Sequence, residues 1–380
     1  MKHLRKVIDQ ALDAGKVIGT SIIIAQHGDV IFETHSGWAD CEAKKSVTEN
    51  TIFRLASLTK PLTSSATFAL IEKGLLSLDT SIMEWLPHFT PKAPDGKIYP
   101  ITIRHLLTHT SGLSYGFYFP HNEPYRSAGV SDGMENNELT LEENVARLAA
   151  VPLMFKPGEQ WRYSLGIDVL GAVLEKVTGK PLSQVIEQYV TEPLGMKDTS
   201  FYVKESRHLA TAYFDNSNGG EACLMSAEQK VPIENAGDLY FGPDRILNPR
   251  AYPSGGGGMA STARDYLQFL EAIRQGGAPI LNQTSIACLT QDAVPGYEVA
   301  LPWPGYGFGM GFGMIRDAEV ANSPRSVGSY EWSGAYGNNA FVDPAIGLSV
   351  VILTNTAFYG LKEFALNVPR AVYCDLGLEK

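Results

Sequence analysis

Two pairs of β-branched runs, one at each end of the chain, constrain the fold more than any other feature. Near the start, Thr20-Ser21-Ile22-Ile23-Ile24-Ala25 and Val30-Ile31-Phe32-Glu33-Thr34 read as strands joined by the turn residues His27-Gly28-Asp29. Near the end, Asn339-Ala340-Phe341-Val342-Asp343 and Leu348-Ser349-Val350-Val351-Ile352-Leu353 form a second pair around a Pro344–Gly347 turn. A helix follows from about Leu361 and has to accommodate Pro369. The stretch between is different, because residues 62–190 are mostly helical patches separated by Pro/Gly loops. Thr140-Leu141-Glu142-Glu143 is a capping-box signature ahead of Val145, Leu148 and Ala149. Leu165–Val177 and Leu182–Val190 carry helical periodicity on either side of Gly179-Lys180-Pro181. Strands at both ends with helices between predict a discontinuous α/β domain (1–70 and 240–380) interrupted by a mainly helical one (71–239). The length of 380 residues exceeds what one core usually supports, which agrees with two domains.

Charge and composition narrow the function classes. A formal net charge of -10 argues against a nucleic-acid groove, and no run of like charge marks an anionic-membrane patch. Hydrophobic residues at 44% and charged residues at 19% suit well-filled cores rather than disorder. No apolar stretch has the length of a membrane span. The basic start Met1-Lys2-His3-Leu4-Arg5-Lys6 is followed by Asp9, Gln10 and Asp13 instead of an apolar run. Leu4, Val7, Ile8, Ala11 and Leu12 recur at helical spacing there, so the segment reads as an amphipathic helix and the expected location is the cytoplasm. The four cysteines are far apart and form no CxxC pair, so neither zinc nor a disulfide framework has support.

Three segments carry residues suited to nucleophilic catalysis. Phe53-Arg54-Leu55-Ala56-Ser57-Leu58-Thr59-Lys60-Pro61 holds a Ser-x-x-Lys pattern. Pro61 is tolerated only in the first turn of a helix, so a helix starts within this segment, with Ser57 at its N-terminus and Lys60 on the same face. A serine hydroxyl is a poor nucleophile until a base lies within hydrogen-bond reach, and a lysine becomes that base when its pKa is lowered. Alone the pattern is weak, since it is expected about once by chance in a chain of this size, and Ser57 then reads as a plain N-cap. Tyr163, in Trp161-Arg162-Tyr163-Ser164-Leu165-Gly166, sits beside a loop just before a helix, where a phenol can relay protons; a half-buried structural tyrosine has the same pattern. Glu331-Trp332-Ser333-Gly334-Ala335-Tyr336-Gly337 precedes the strand at Asn339 and offers a backbone N–H for an oxyanion, or else a β-turn with an exposed aromatic. The tetraglycine Gly255–Gly258 lacks the Lys-Ser/Thr of a phosphate loop and reads as a tight turn.

Ser57-x-x-Lys60, Tyr163-Ser164-Leu165 and Trp332-Ser333-Gly334 resemble, in order and spacing, the three motifs of the class C β-lactamase and penicillin-recognising superfamily. His105-Leu106-Leu107-Thr108-His109-Thr110-Ser111-Gly112-Leu113 resembles another segment of that family, as do Pro193-Leu194-Gly195-Met196 and Gly255–Met259. The likeness thus spans nearly the whole chain. It implies a β-lactamase/DD-peptidase-like α+β fold: an antiparallel sheet flanked by helices, plus a mainly helical inserted domain. It also implies acyl-enzyme chemistry with Ser57, Lys60 and Tyr163 as catalytic residues, and an oxyanion hole from the N–H groups of Ser57 and Ala335. His109 is assigned no role.

Two departures select a branch. β-Lactamases of this class carry Tyr-x-Asn and Lys-Thr-Gly, where this chain has Leu165 and Trp332. Losing the charge-assisted bond to a substrate carboxylate forfeits about 1.5–3 kcal/mol, and a leucine and an indole favour an uncharged substrate. Tyr-Ser-Leu with Trp-x-Gly resembles the family VIII carboxylesterases. Acyltransferases of the statin-biosynthesis type share the scaffold. Substrate-binding candidates are Trp332, Ser333, Gly334, Leu165 and Tyr115. Tyr115-Gly116-Phe117-Tyr118-Phe119-Pro120 is a candidate acyl-pocket wall, whereas Gly305–Met310 reads as a core strand. No Gly-x-Ser-x-Gly occurs, and the last histidine is His208, which removes the α/β-hydrolase alternative. The expectation is a serine carboxylesterase for short-chain, uncharged esters. An acyltransferase or a β-lactamase/D-amino-acid peptidase is the alternative, and a non-catalytic penicillin-binding-like scaffold ranks below these. A small-molecule ester is the expected partner, with no metal or organic cofactor implied; the oligomeric state is not legible.

Overall fold

The computed structural model describes residues 1–216, 219–233, 236–299, 304–358 and 363–378. An eight-stranded antiparallel sheet takes its strands from the two ends of the chain. Its strands are β1 (Gly19–Gln26), β2 (Asp29–Asp40), β3 (Lys45–Ser46), β4 (Tyr306–Phe308), β5 (Gly313–Ile315), β6 (Tyr330–Gly334), β7 (Asn338–Asp343) and β8 (Leu348–Thr354), in the spatial order β4-β5-β6-β7-β8-β1-β2-β3. The helices that position the sheet and the site are α1 (Lys2–Asp13), α2 (Thr59–Glu72), α3 (Gly166–Thr178), α4 (Ala263–Arg274) and α5 (Glu363–Asp375).

Strand periodicity explains how the ends meet. β1 pairs with β8 in the register Ile22↔Ile352, Ile23↔Val351 and Ile24↔Val350. Side chains alternate across a sheet, so Ile22, Ile24, Val350 and Ile352 share one face, where they pack with Leu4 and Ile8 of α1 and Phe364 and Val372 of α5. Ile23, Val351 and Leu353 share the other face, which packs with Phe269 and Ile273 of α4. Both faces are covered, and that is why Ile22-Ile23-Ile24 is an unbroken apolar run rather than an alternating one. Burying each such side chain contributes about 1.5–3 kcal/mol. The helix α1 is fixed at its N-terminus from α5: the Asp375 carboxylate accepts from the backbone N–H groups of Lys2, Leu4 (each 2.9 Å) and His3 (3.0 Å). Leu361, the expected start of the last helix, lies outside the described residues; the described helix runs Glu363–Asp375 with Pro369 inside it.

Between the sheet segments, helices dominate down to about residue 208. The capping box at Thr140 and Glu143 is formed, and Gly179 ends α3 in the left-handed conformation. The expected Leu182–Val190 helix is split into Leu182–Ile186 and a π turn, Glu187–Thr191. Tyr213–Phe214, Cys223–Leu224, Gln229–Pro232 and Asp238–Phe241 are short strands, so the last part of this middle region is not helical. We propose that the division near residues 70 and 240 is one of chain topology rather than of separate cores. A single apolar cluster runs from Ile23 and Val351 in the sheet to Leu106 and Val173 among the helices. No helix among the described residues is long and apolar enough to cross a membrane.

Candidate active site

The Ser-x-x-Lys segment is placed by a strained entry into a buried helix. Phe53–Arg54 pairs with Ala260–Ser261, and the Leu55 N–H is held by the Met259 carbonyl at 2.8 Å. Ala56 then takes φ 47°, a left-handed conformation that alanine rarely adopts, before a 3-10 turn (Ala56–Leu58) leads into α2. Pro61 is the third residue of α2, inside the first turn, where its missing N–H leaves no gap in the helix. Residues 59–70 of α2 are buried on every side, which places Lys60 in the molecular interior.

Lys60 and Tyr163 converge on Ser57. Lys60 Nζ lies 3.1 Å from Ser57 Oγ and donates to the Gly256 carbonyl at 2.6 Å. The Tyr163 hydroxyl, from the loop just before α3, donates to Ser57 Oγ at 2.7 Å. Only 3% of Lys60 is exposed. Burial brings its pKa down to about 7, against the upward pull of the Asp168 and Asp132 carboxylates. Burial pushes the Tyr163 phenol the other way, well above its ordinary value. At neutral pH the site therefore pairs an amine near its midpoint with a phenol that keeps its proton.

The tetraglycine is part of this arrangement. It is a turn, as expected, but its carbonyls are also acceptors: Gly255 for Thr63 Oγ1 at 2.9 Å and Gly256 for Lys60. A Cβ on Gly256 would stand 2.3 Å from Asp168 Oδ2, and one on Gly255 would stand 2.9 Å from the Ile167 carbonyl, so only glycine fits between α2 and α3. Four consecutive positions without Cβ were the sequence signal; what they receive was not visible.

The third segment is strand β6 as far as Gly334 and then a turn, Ala335–Gly337, closed by the Gly337 N–H on the Gly334 carbonyl at 2.8 Å. Trp332 is buried, against Tyr163 at 5.4 Å and Phe308 at 5.2 Å between ring centroids. The β-turn is present, but its aromatic, Tyr336, is buried as Trp332 is, and neither is exposed. β6 reaches the nucleophile because Gly334 lies against Leu55, where a Cβ would meet the carbonyl oxygen at 2.0 Å. Asn338 adds a tie, donating to the Arg54 carbonyl at 2.6 Å. The residue after Gly334, Ala335, thereby comes to the rim of the same cleft as Ser57.

That cleft has a volume of about 290 Å³. Its walls include Ser57, Tyr115, Tyr163, Trp332, Ser333 and Ala335, all named from sequence. Phe117 and Tyr118 line it as well, whereas Phe119 stacks on Tyr125 and does not. Two expectations need correction. Leu165 is fully buried and lies outside the cleft wall. Residues two apart share a side only in extended chain, and Leu165 has already turned (φ −65°, ψ 8°) into α3. Gly334 is likewise a packing position against Leu55 rather than part of the wall. Tyr306–Phe308 is a core strand, as read.

Sequence reasoning missed Asp132, Met134, Ile233, Leu239, Asn339 and Phe358, which also line the cleft. They come from separate loops and strands and share no motif. His109 is buried with φ 56°, packs on Tyr163 at 4.9 Å and meets Ser164 Oγ through Nδ1 at 3.3 Å. Burial, and then the nearby Lys60, hold its pKa well below the usual value, so it stays neutral. A larger surface groove of about 890 Å³, bordered by Glu175, Glu192 and Arg250, contains none of Ser57, Lys60, Tyr163 and Trp332. No cluster of three or more histidines, cysteines or carboxylates able to hold a metal ion occurs among the described residues.

An antiparallel sheet with a buried Ser-x-x-Lys helix, a tyrosine on the same hydroxyl and a third strand at the nucleophile define a class, and sequence comparison agrees: residues 4–369 match the beta-lactamase family. The chain belongs to that family. Within it, the chain is 41% identical over 359 residues to Esterase EstB of Burkholderia gladioli, covering 94% of this chain and 91% of that protein. The solved structure of EstCE1, described as a hydrolase with promiscuous acyltransferase activity, superposes with a TM-score of 0.91 at 42% identity, covering 98% of both chains. Unliganded simvastatin synthase from Aspergillus terreus shares the fold, with a TM-score of 0.78 at 22% identity over 98% of this chain and 97% of that one.

Proposed function

We propose that this protein is a serine carboxylesterase that cleaves short-chain, uncharged esters through an acyl-enzyme on Ser57. The observation that carries this reading is the convergence of Lys60 Nζ and the Tyr163 hydroxyl on Ser57 Oγ, at 3.1 and 2.7 Å, inside an aromatic cleft. Its similarity to Esterase EstB and EstCE1 supports the ester as the substrate class.

The geometry fits the following sequence of steps. With Lys60 neutral, its lone pair faces Ser57 Oγ while an N–H remains on the Gly256 carbonyl. Ser57 Oγ attacks the ester carbonyl carbon, and its proton passes to Lys60, directly or through the Tyr163 hydroxyl. The oxyanion is held by the N–H groups of Ser57 and Ala335, each such donor supplying about 2.7–4 kcal/mol of transition-state stabilisation. The carbonyl re-forms as the alkoxide leaves, taking a proton from Tyr163, which is re-protonated by Lys60. Water then attacks the acyl-enzyme by the same proton path in reverse. Trp332 stands on the cleft wall where β-lactamases of this class carry a lysine, and no lysine or arginine is among the described wall residues, which disfavours a β-lactam carboxylate.

EstCE1's described activity gives a second reading a footing: an alcohol could replace water at the acyl-enzyme, making the protein an acyltransferase. A panel of p-nitrophenyl esters and nitrocefin, run with and without added alcohols on wild type and Ser57→Ala, tests both. We expect turnover of short acyl esters, a loss of at least ~10³-fold in the variant, and negligible nitrocefin cleavage. Wild-type ester turnover that survives Ser57→Ala overturns the assignment.

A further inference from the structure

One group in the cleft has no part in the ester chemistry. Asp132 lines the same cavity as Ser57, and it is the only carboxylate among the described wall residues. Around it the wall is aromatic: Tyr115 and Phe117 stack at 4.8 Å, and Phe117 meets Tyr118 at 4.7 Å. Asp132 Oδ1 accepts from the Gly116 N–H at 3.1 Å, which ties it to this aromatic loop. No lysine, arginine or histidine among the described residues forms an ion pair with it. The ionisable groups acting on it are Glu135 and Asp168, which repel its charge, Lys60, which attracts it, and the Tyr115, Tyr118 and Tyr125 phenols, which its charge helps to keep protonated. Arg162 lies over the Tyr118 ring at 4.6 Å, while Arg126 and Arg245 act on Glu135.

We propose that Asp132, with the Tyr115–Phe117–Tyr118 wall, forms a subsite for a cationic group, so that the cleft prefers esters carrying an ammonium over neutral isosteres and rejects carboxylate-bearing ones. An ammonium gains on two counts in such a place: it pairs with a carboxylate that forms no ion pair among the described residues, and it meets aromatic rings in a desolvated setting. Burial and the nearby Glu135 push the Asp132 pKa up to about 7, as expected of a carboxyl lacking a partner, and a bound cation would supply that partner. The proposal rests on the esterase reading and specifies its substrate class.

Two isosteric pairs test it, one for each half of the ester: butyrylcholine against 3,3-dimethylbutyl butyrate, and p-nitrophenyl 4-(trimethylammonio)butanoate against p-nitrophenyl 5,5-dimethylhexanoate. Quaternary ammonium does not titrate, so any pH effect belongs to the protein. Asp132→Asn keeps an acceptor for the Gly116 N–H and removes the charge. We expect wild type to favour the cation by about tenfold in kcat/KM in at least one pair at pH 8.5, and by less at pH 6. Lys60 titrates over the same range and shifts the ratio in the same direction, so the variant decides: the preference should fall to near unity in Asp132→Asn. No preference in either pair, or a preference that survives in the variant, overturns the proposal. If Asp132→Asn does not fold, Asp132→Ser takes its place with the same two readings: a preference that falls to near unity supports the subsite, and one that survives overturns it. Turnover of the neutral esters, lost in Ser57→Ala, reports separately on the esterase reading.

Discussion

Gly334 touches Leu55 so closely that a single added methyl would sit 2.0 Å from the Leu55 carbonyl oxygen and 3.5 Å from the Ala56 Cβ. This contact joins the end of β6, just before Ala335, to the turn that carries Ser57, and so sets the spacing of the two N–H groups proposed for the oxyanion. A real Cβ contact needs about 1 Å more than this, and neither backbone can move independently. Gly334→Ala should lower kcat on p-nitrophenyl butyrate by roughly 10²-fold while destabilising the fold by about 1–3 kcal/mol. Wild-type kcat with an unchanged melting temperature would show that this contact does not position the site.

The pH profile follows from the two shifted groups. Lys60 acts only when neutral, and its pKa is lowered to about 7. Log kcat/KM for a neutral ester should therefore rise with slope one below pH 7 and level off above it. Burial keeps the Tyr163 phenol protonated far into the alkaline range, so no descending limb is expected below about pH 10. Rates measured from pH 5.5 to 10 check this; an ascending limb near the ordinary lysine value would remove Lys60 from the base role.

Tyr163→Phe separates the relay from the base. The variant keeps the ring packed among His109, Tyr115 and Trp332 and deletes only the hydroxyl on Ser57. A drop in kcat of about 10²–10⁴-fold with little change in KM is expected. Esters with better leaving groups should suffer less, because a nitrophenolate needs less protonation than an alkoxide. Equal losses for both would assign the hydroxyl to another step.

Asp375 predicts an acid-side stability loss unconnected with catalysis. Although burial raises it, the N–H groups of Leu4, His3 and Lys2 win and hold its pKa at about 2. A folded value below the unfolded one means the contribution is complete above about pH 4 and fades as pH falls toward 2. Asp375→Asn should cost about 0.5–2 kcal/mol in a urea melt at pH 7, with the gap to wild type closing below pH 4. A pH-independent gap would point to packing instead.

Much of this protein was legible in its sequence, because the deciding signals were local. Unbroken β-branched runs at Ile22–Ile24 and Val350–Ile352 marked the strands, Pro61 marked where α2 begins, and Thr140 with Glu143 marked a helix start. Motif order marked Ser57, Lys60 and Tyr163 as candidates before any distance was known. The tertiary structure alone decided what surrounds them: that Gly256 holds the lysine, that Leu165 turns into the core, and that Asp132 faces the cleft. The reason is physical. Backbone propensity acts over a few residues, but a cavity wall is assembled from segments tens to hundreds of residues apart, and which side chain reaches it depends on packing that no local pattern encodes.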